Sequence, residues 1–204
     1  MKRAIAAALW LGLAALSPQP LLAAEAGDAV FAERGPWNLG QDRLAYRMTI
    51  EGPAAEGFQP TADGALTLSE VVDPSDQQPV LELNQKTETR DRKIGPFPVS
   101  GGDPVLTFFL EQTARDMAAL TGGSPDYIRN RMKDALFRGG EIARNGETTT
   151  ATFHPFEDDP NAARMHGFQT LTLTFVMGDP ADPIQELRAA TAETPGYRNE
   201  LVLE

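Results

Sequence analysis

Five side chains between residues 154 and 166 hold the densest potential chemistry in this 204-residue chain: His154, Glu157, Asp158, Asp159 and His166. Imidazoles and carboxylates together can ligate a divalent cation, and His154, Asp158, Asp159 and His166 form the candidate metal set. His154 could equally act as a general base oriented by a carboxylate. The chain has only these two histidines, so any histidine-dependent reaction must use them. The spacing fits no H-E-x-x-H pattern. A purely structural reading also accounts for the cluster. Asp159-Pro160 would cap and start a short helix, Glu157 and Asp158 would sit at its N-terminus, and His166 would sit near its C-terminus.

Other residues invite chemical readings that their context weakens. Gly122-Gly123-Ser124 resembles a nucleophile turn, but that turn needs G-x-S-x-G between a strand and a helix. Here proline follows the serine, which reads as a helix cap. Arg129, Arg131, Lys133 and Arg138 could form a basic helix face, diluted by Asp126 and Asp134. Five Asp-Pro pairs, beginning at Asp73, Asp103, Asp159, Asp179 and Asp182, follow from turn and cap chemistry. Asp179-Pro180-Ala181-Asp182 lacks the alternating oxygens of a calcium loop. Phe97, Phe108, Phe109 and Phe137 exceed what one helical stripe can bury. They are the candidate lining of an apolar ligand cavity, with packing against Trp37 as the alternative.

The elements that must position these residues can be read from periodicity. Arg43–Glu51 alternates, with Leu44, Tyr46, Met48 and Ile50 on one side, so one face of an antiparallel sheet is buried. Further strands are expected at 65–72, 80–90, 141–144, 147–154, 168–177 and 197–203. Asn145-Gly146 is the expected hairpin turn. Lys86–Lys93 should project into solvent, and Ile94–Gly102, with two prolines and three glycines, should be a loop. Asp103-Pro104 and Ser124-Pro125 each open a helix, closed by Gly122-Gly123 and Gly139-Gly140. The first helix carries its stripe at Leu106, Phe109, Leu110, Thr113, Met117 and Leu120, the second at Ile128, Met132 and Leu136. Short helices are expected from Asp159 to Met165 and from Ile184 to Ala192. The pattern predicts an α+β fold: a curved, mainly antiparallel sheet of about seven strands packed on a central helical hairpin, with short additional helices. An outer-membrane barrel does not fit, because charged faces and two long amphipathic helices interrupt the strands.

The start of the chain has the form of a secretory leader. Lys2 and Arg3 precede an apolar run from Ala4 to Leu16, then Ser17-Pro18-Gln19-Pro20 and small residues. Residues 1–24 are expected to be a signal peptide, cut after Ala24 or Ala26. Residues 25–41 should be an irregular arm, and residues 42–204 a single α+β domain. Without Lys2 and Arg3, 16 basic and 29 acidic residues leave a net charge of −13. That balance disfavours nucleic acid and anionic headgroups. The chain has no cysteine, which excludes disulfides, thiol nucleophiles and thiolate metal sites. No cofactor motif is present. A transmembrane segment is not expected in the mature chain.

The leading expectation is a non-catalytic periplasmic domain, or else a secreted one, that binds an apolar small molecule or an envelope protein. Its basis is a sheet-over-helices layout without a catalytic constellation. One rival is a metal-dependent hydrolase built on His154, Asp158, Asp159 and His166. Another is a structural accessory subunit of an envelope complex.

Overall fold

Alternating apolar residues place nearly every strand. In the computed structural model, residues 19–193 and 196–204 are described. Most of the expected leader therefore lies outside the described residues. Strands β1 (Arg43–Glu51), β2 (Thr61–Val72), β3 (Pro79–Lys86) and β4 (Asp91–Pro98) form one meander. Strands β5 (Glu141–Asn145), β6 (Thr148–Phe153), β7 (Thr172–Met177), β8 (Glu186–Ala190) and β9 (Arg198–Leu203) form another. The last strand returns to pair antiparallel with the first, Met48 opposite Leu201. The result is one open nine-stranded antiparallel sheet in the order β4-β3-β2-β1-β9-β8-β7-β6-β5.

One face of this sheet carries the core. Tyr46, Met48 and Ile50 of β1, Leu66 and Leu68 of β2, and Leu173 and Phe175 of β7 are all buried. The intervening residues are more exposed or polar, so a one-residue register slip would turn the apolar set into water. Three helices cover the apolar face: α1 (Gln19–Val30), α2 (Pro104–Thr121) and α3 (Pro125–Arg138). Asp103 accepts the N–H groups of Val105 and Leu106 at 2.9 and 3.0 Å, a cap worth about 1 kcal/mol. Gly122 ends α2 in the left-handed conformation, which glycine adopts without a Cβ penalty. Helix α2 lies against β3, β8 and β9, and α1 packs against α3, β5 and β6.

The expected hairpin of α2 and α3 is present, but it shares the helical layer with α1. Residues 25–30, read from the sequence as part of an irregular arm, are the second half of α1, and Ala26 and Val30 enter the core. The rest of the arm has no helix or strand but is firmly tied. Arg34 is buried and donates to the carbonyls of Val30 at 2.7 Å, Ala29 at 3.0 Å and Asp182 at 3.1 Å. Trp37 Nε1 donates to the Gly102 carbonyl at 2.8 Å.

Among the described residues nine strands stand where the sequence predicts seven, because two are hidden in it. Strand β4 carries Gly95, Pro96 and Pro98, which read as loop. It is an edge strand pairing only with β3, where proline is tolerated because the free N–H side faces away from any partner. Strand β8 lies where Asp182-Pro183 and Gln185 signal a helix from Ile184 to Ala192. Pairing to β7 and β9 on both sides overrides that local preference. The helix expected at 159–165 shrinks to a 3-10 turn at Ala162–Arg164, and the strand expected from Phe168 begins only at Thr172. In the β5–β6 hairpin, Asn145 pairs with Thr148, so the turn residues are Gly146 and Glu147 rather than Asn145 and Gly146.

Candidate functional site

Beyond β6 the chain loops outward from His154 and packs against α3. This loop, the end of α3 and the start of β5 enclose a cleft of about 820 Å³. Arg131 and Arg138 reach it from α3, Glu141 from β5, and His154, Glu157 and Asp158 from the loop. Its floor depends on glycine. Gly139 closes α3 at φ 97°, with its N–H on the Ala135 carbonyl. A Cβ on Gly140 would stand 2.2 Å from the Thr152 carbonyl oxygen and 2.7 Å from the Phe153 ring. The backbone therefore passes directly against β6.

The predicted polar cluster does not act as a unit. Asp159 is turned into the protein, only 4% exposed. Its carboxylate accepts the Tyr127 hydroxyl at 2.9 and 2.8 Å and the Asn161 N–H at 2.8 Å. Arg131 Nε stands 2.7 Å from Asp159 Oδ2 as an ion pair, although its N–H is not aimed at the oxygen. Burial alone would raise the Asp159 carboxyl. The Asn161 N–H, the Tyr127 hydroxyl and Arg131 outweigh that and hold it below the usual range. Asp158, by contrast, is exposed at φ 57°, and His166 is exposed at φ 48°. His154 is exposed, with Nδ1 3.4 Å from Thr172 Oγ1. Among the described residues, no three His, Cys, Asp or Glu side chains converge as a cation site.

The chain matches no family model, no curated protein and no solved structure. Its site must therefore be judged by its own geometry.

The cleft carries charges of both signs, two guanidinium groups facing three carboxylates and an imidazole. Such walls suit a polar segment bearing both charges. Ser124 is a cap and not a nucleophile turn, since its Oγ accepts the Tyr127 N–H at 3.4 Å. The basic residues of α3 are largely engaged. Arg129 pairs with Glu111 at 2.6 Å and also with Asp126, and Arg131 pairs with Asp159.

The four phenylalanines expected to line an apolar cavity differ in their surroundings. Phe109 is fully buried edge-on to Phe175, with ring centroids 5.9 Å apart. Phe108 is buried on the same helix, and Phe97 is half-buried on the edge strand. Phe137 is 72% exposed and stacks on Phe31, itself 43% exposed, with centroids 5.3 Å apart and planes 14° from parallel. Leu106, Phe109, Met132, Leu171 and Phe175 fill the interior together in one core cluster. Neither the α3–β5 cleft nor a smaller one of about 440 Å³ beside β4 is lined by any of the four.

Sequence reasoning missed the cleft because its walls come from three separated segments. It also missed the Phe31–Phe137 stack. The signal available was that Phe137 follows Leu136 directly, so it must stand off the Ile128–Met132–Leu136 stripe.

Proposed function

We propose that this chain is exported to the periplasm and works there as a non-catalytic domain that docks an envelope protein through the face around the end of α3. The observation that carries this reading is the exposed Phe31–Phe137 stack. It sits one residue along the helix from Arg138, which lines the charged cleft. Aromatic anchors beside polar, charged surroundings are the usual composition of a protein-binding patch. Leu106, Phe109, Met132, Leu171 and Phe175 belong to one core cluster, which weighs against an enclosed apolar ligand, since a carrier needs unfilled space. The leader-like start of the sequence, with Lys2 and Arg3 ahead of the apolar run from Ala4 to Leu16, supports export.

Native mass spectrometry of the chain recovered from its own periplasm tests the proposal. A protein partner should be retained by the native chain and lost after Phe31→Ser with Phe137→Ser. A retained lipid-sized adduct would favour the apolar-ligand reading, and a chain recovered only from the cytosol would end the export reading.

A further inference from the structure

Beneath α2 lies a polar cluster unrelated to the cleft. Asp116 is 4% exposed on the inward side of the helix. Its Oδ2 accepts the Tyr197 hydroxyl at 2.8 Å, and its Oδ1 accepts Gln112 Nε2 at 2.7 Å. Beside them, Asn199 Nδ2 donates to Thr113 Oγ1 at 3.0 Å, while Asn199 Oδ1 is buried with no donor. Five polar side chains from α2, β9 and the residue preceding β9 thus share one apolar seam, with an acceptor left over. No cation lies within ion-pair distance of Asp116 among the described residues.

The charged neighbours are turned elsewhere. On α2 itself, Glu111 and Arg115 pair with each other on the outer side. Arg129 of α3 also holds Glu111. On β8 and β9, Arg188, Arg198 and Glu200 alternate with the buried Leu187, Asn199 and Leu201, and so lie on the opposite sheet face. On β3, Glu82 and Lys86 are outward by the same alternation, and inward-facing Gln85 is neutral. Tyr197 is the titratable group that meets Asp116.

We propose that Asp116 is a pH-responsive lock between α2 and the central strand β9, firm while it carries a proton and weakened when it ionises. An unpaired carboxylate in an apolar seam pays a large desolvation cost, which the neutral acid avoids. Burial pushes the carboxyl up to about 6, against the hydrogen bonds from Tyr197 and Gln112, which favour the anion. A carboxyl raised on folding stabilises fully below its unfolded value near 4, and that stabilisation is lost as pH rises through 6. The inference does not depend on where the chain resides or what it binds.

Carboxyl NMR titration of the whole chain, with hydrogen exchange of the α2 amides, tests it. Asp116 should titrate near pH 6. Its contribution should raise the unfolding constant roughly a hundred-fold between pH 4 and pH 8, as a shift of about two units requires. Asp116→Asn should abolish that pH dependence and keep α2 protected at pH 8. Tyr197→Phe removes a donor to the anion and should move the midpoint higher. A midpoint at or below 4.5 would overturn the proposal, as would a pH profile unchanged in Asp116→Asn. If that variant fails to fold, the native titration alone decides.

Discussion

The hydroxyl of Tyr127 stands within 2.9 Å of both carboxylate oxygens of Asp159, joining α3 to the loop beyond β6. Asn161 Nδ2 donates to the same hydroxyl at 3.0 Å, and Arg131 closes the group from one helical turn further along. This strut holds one wall of the cleft. It also commits the central carboxylate of the richest polar stretch of the sequence to the helix.

Removing that carboxylate should be costly. Asp159→Ala leaves the Arg131 and Tyr127 donors facing a partly buried void, a loss of about 3 kcal/mol. Urea unfolding at neutral pH measures it. The pH sign is opposite to that of Asp116. A carboxyl held below its ordinary value stabilises above pH 4, and the benefit is lost as pH falls through the folded value. Asp159→Asn should therefore flatten the acid side of the stability profile.

Two glycines should respond in opposite ways to alanine. Gly140→Ala drives a methyl into the Thr152 carbonyl and the Phe153 ring, so melting should fall steeply, by about 3 kcal/mol or more. Gly101→Ala meets nothing within 4 Å and has no positive φ. It should be neutral or stabilise by up to about 1 kcal/mol through the unfolded chain. Thermal melts of the two variants side by side give the answer.

How much could be read in advance follows from where the information lies. The helices α2 and α3 carry their own start and stop signals in Asp103-Pro104, Ser124-Pro125 and the glycine pairs, so their ends fell within a residue of expectation. The strand β1 alternates, and alternation is local. The strand β8 has the composition of a helix, and only its neighbours β7 and β9 make it a strand. Edge strand β4 was concealed by prolines that only an edge can accept. The Tyr127–Asp159 strut depends on a contact 32 residues apart, the cleft on segments drawn together between Arg131 and Pro160, and no local pattern encodes either.

The segment after α1 should prove integral to the fold. Arg34→Met keeps the apolar stem but leaves the carbonyls of Ala29, Val30 and Asp182 without this donor. The acceptors so stranded, one buried and two partly buried, cost about 2 kcal/mol in total, allowing for partial relaxation. Exchange of amides in the last turn of α1 should accelerate more than exchange in β1.

Stability and docking should separate at the aromatic residues. Phe109→Ala empties a site packed on Phe175 and should cost about 4 kcal/mol. Phe137→Ser alters a side chain that is mostly in water and should change unfolding by roughly 0.5 kcal/mol or less. Chemical denaturation of the two variants checks the contrast.

The docking face itself is tested most directly by placing a photoreactive phenylalanine analogue at Phe137 and, as a control, at the exposed Val72, then irradiating cells that express each chain. One discrete protein adduct from position 137 and none from position 72 is the predicted result. No adduct from position 137, or the same adducts from both positions, would contradict it.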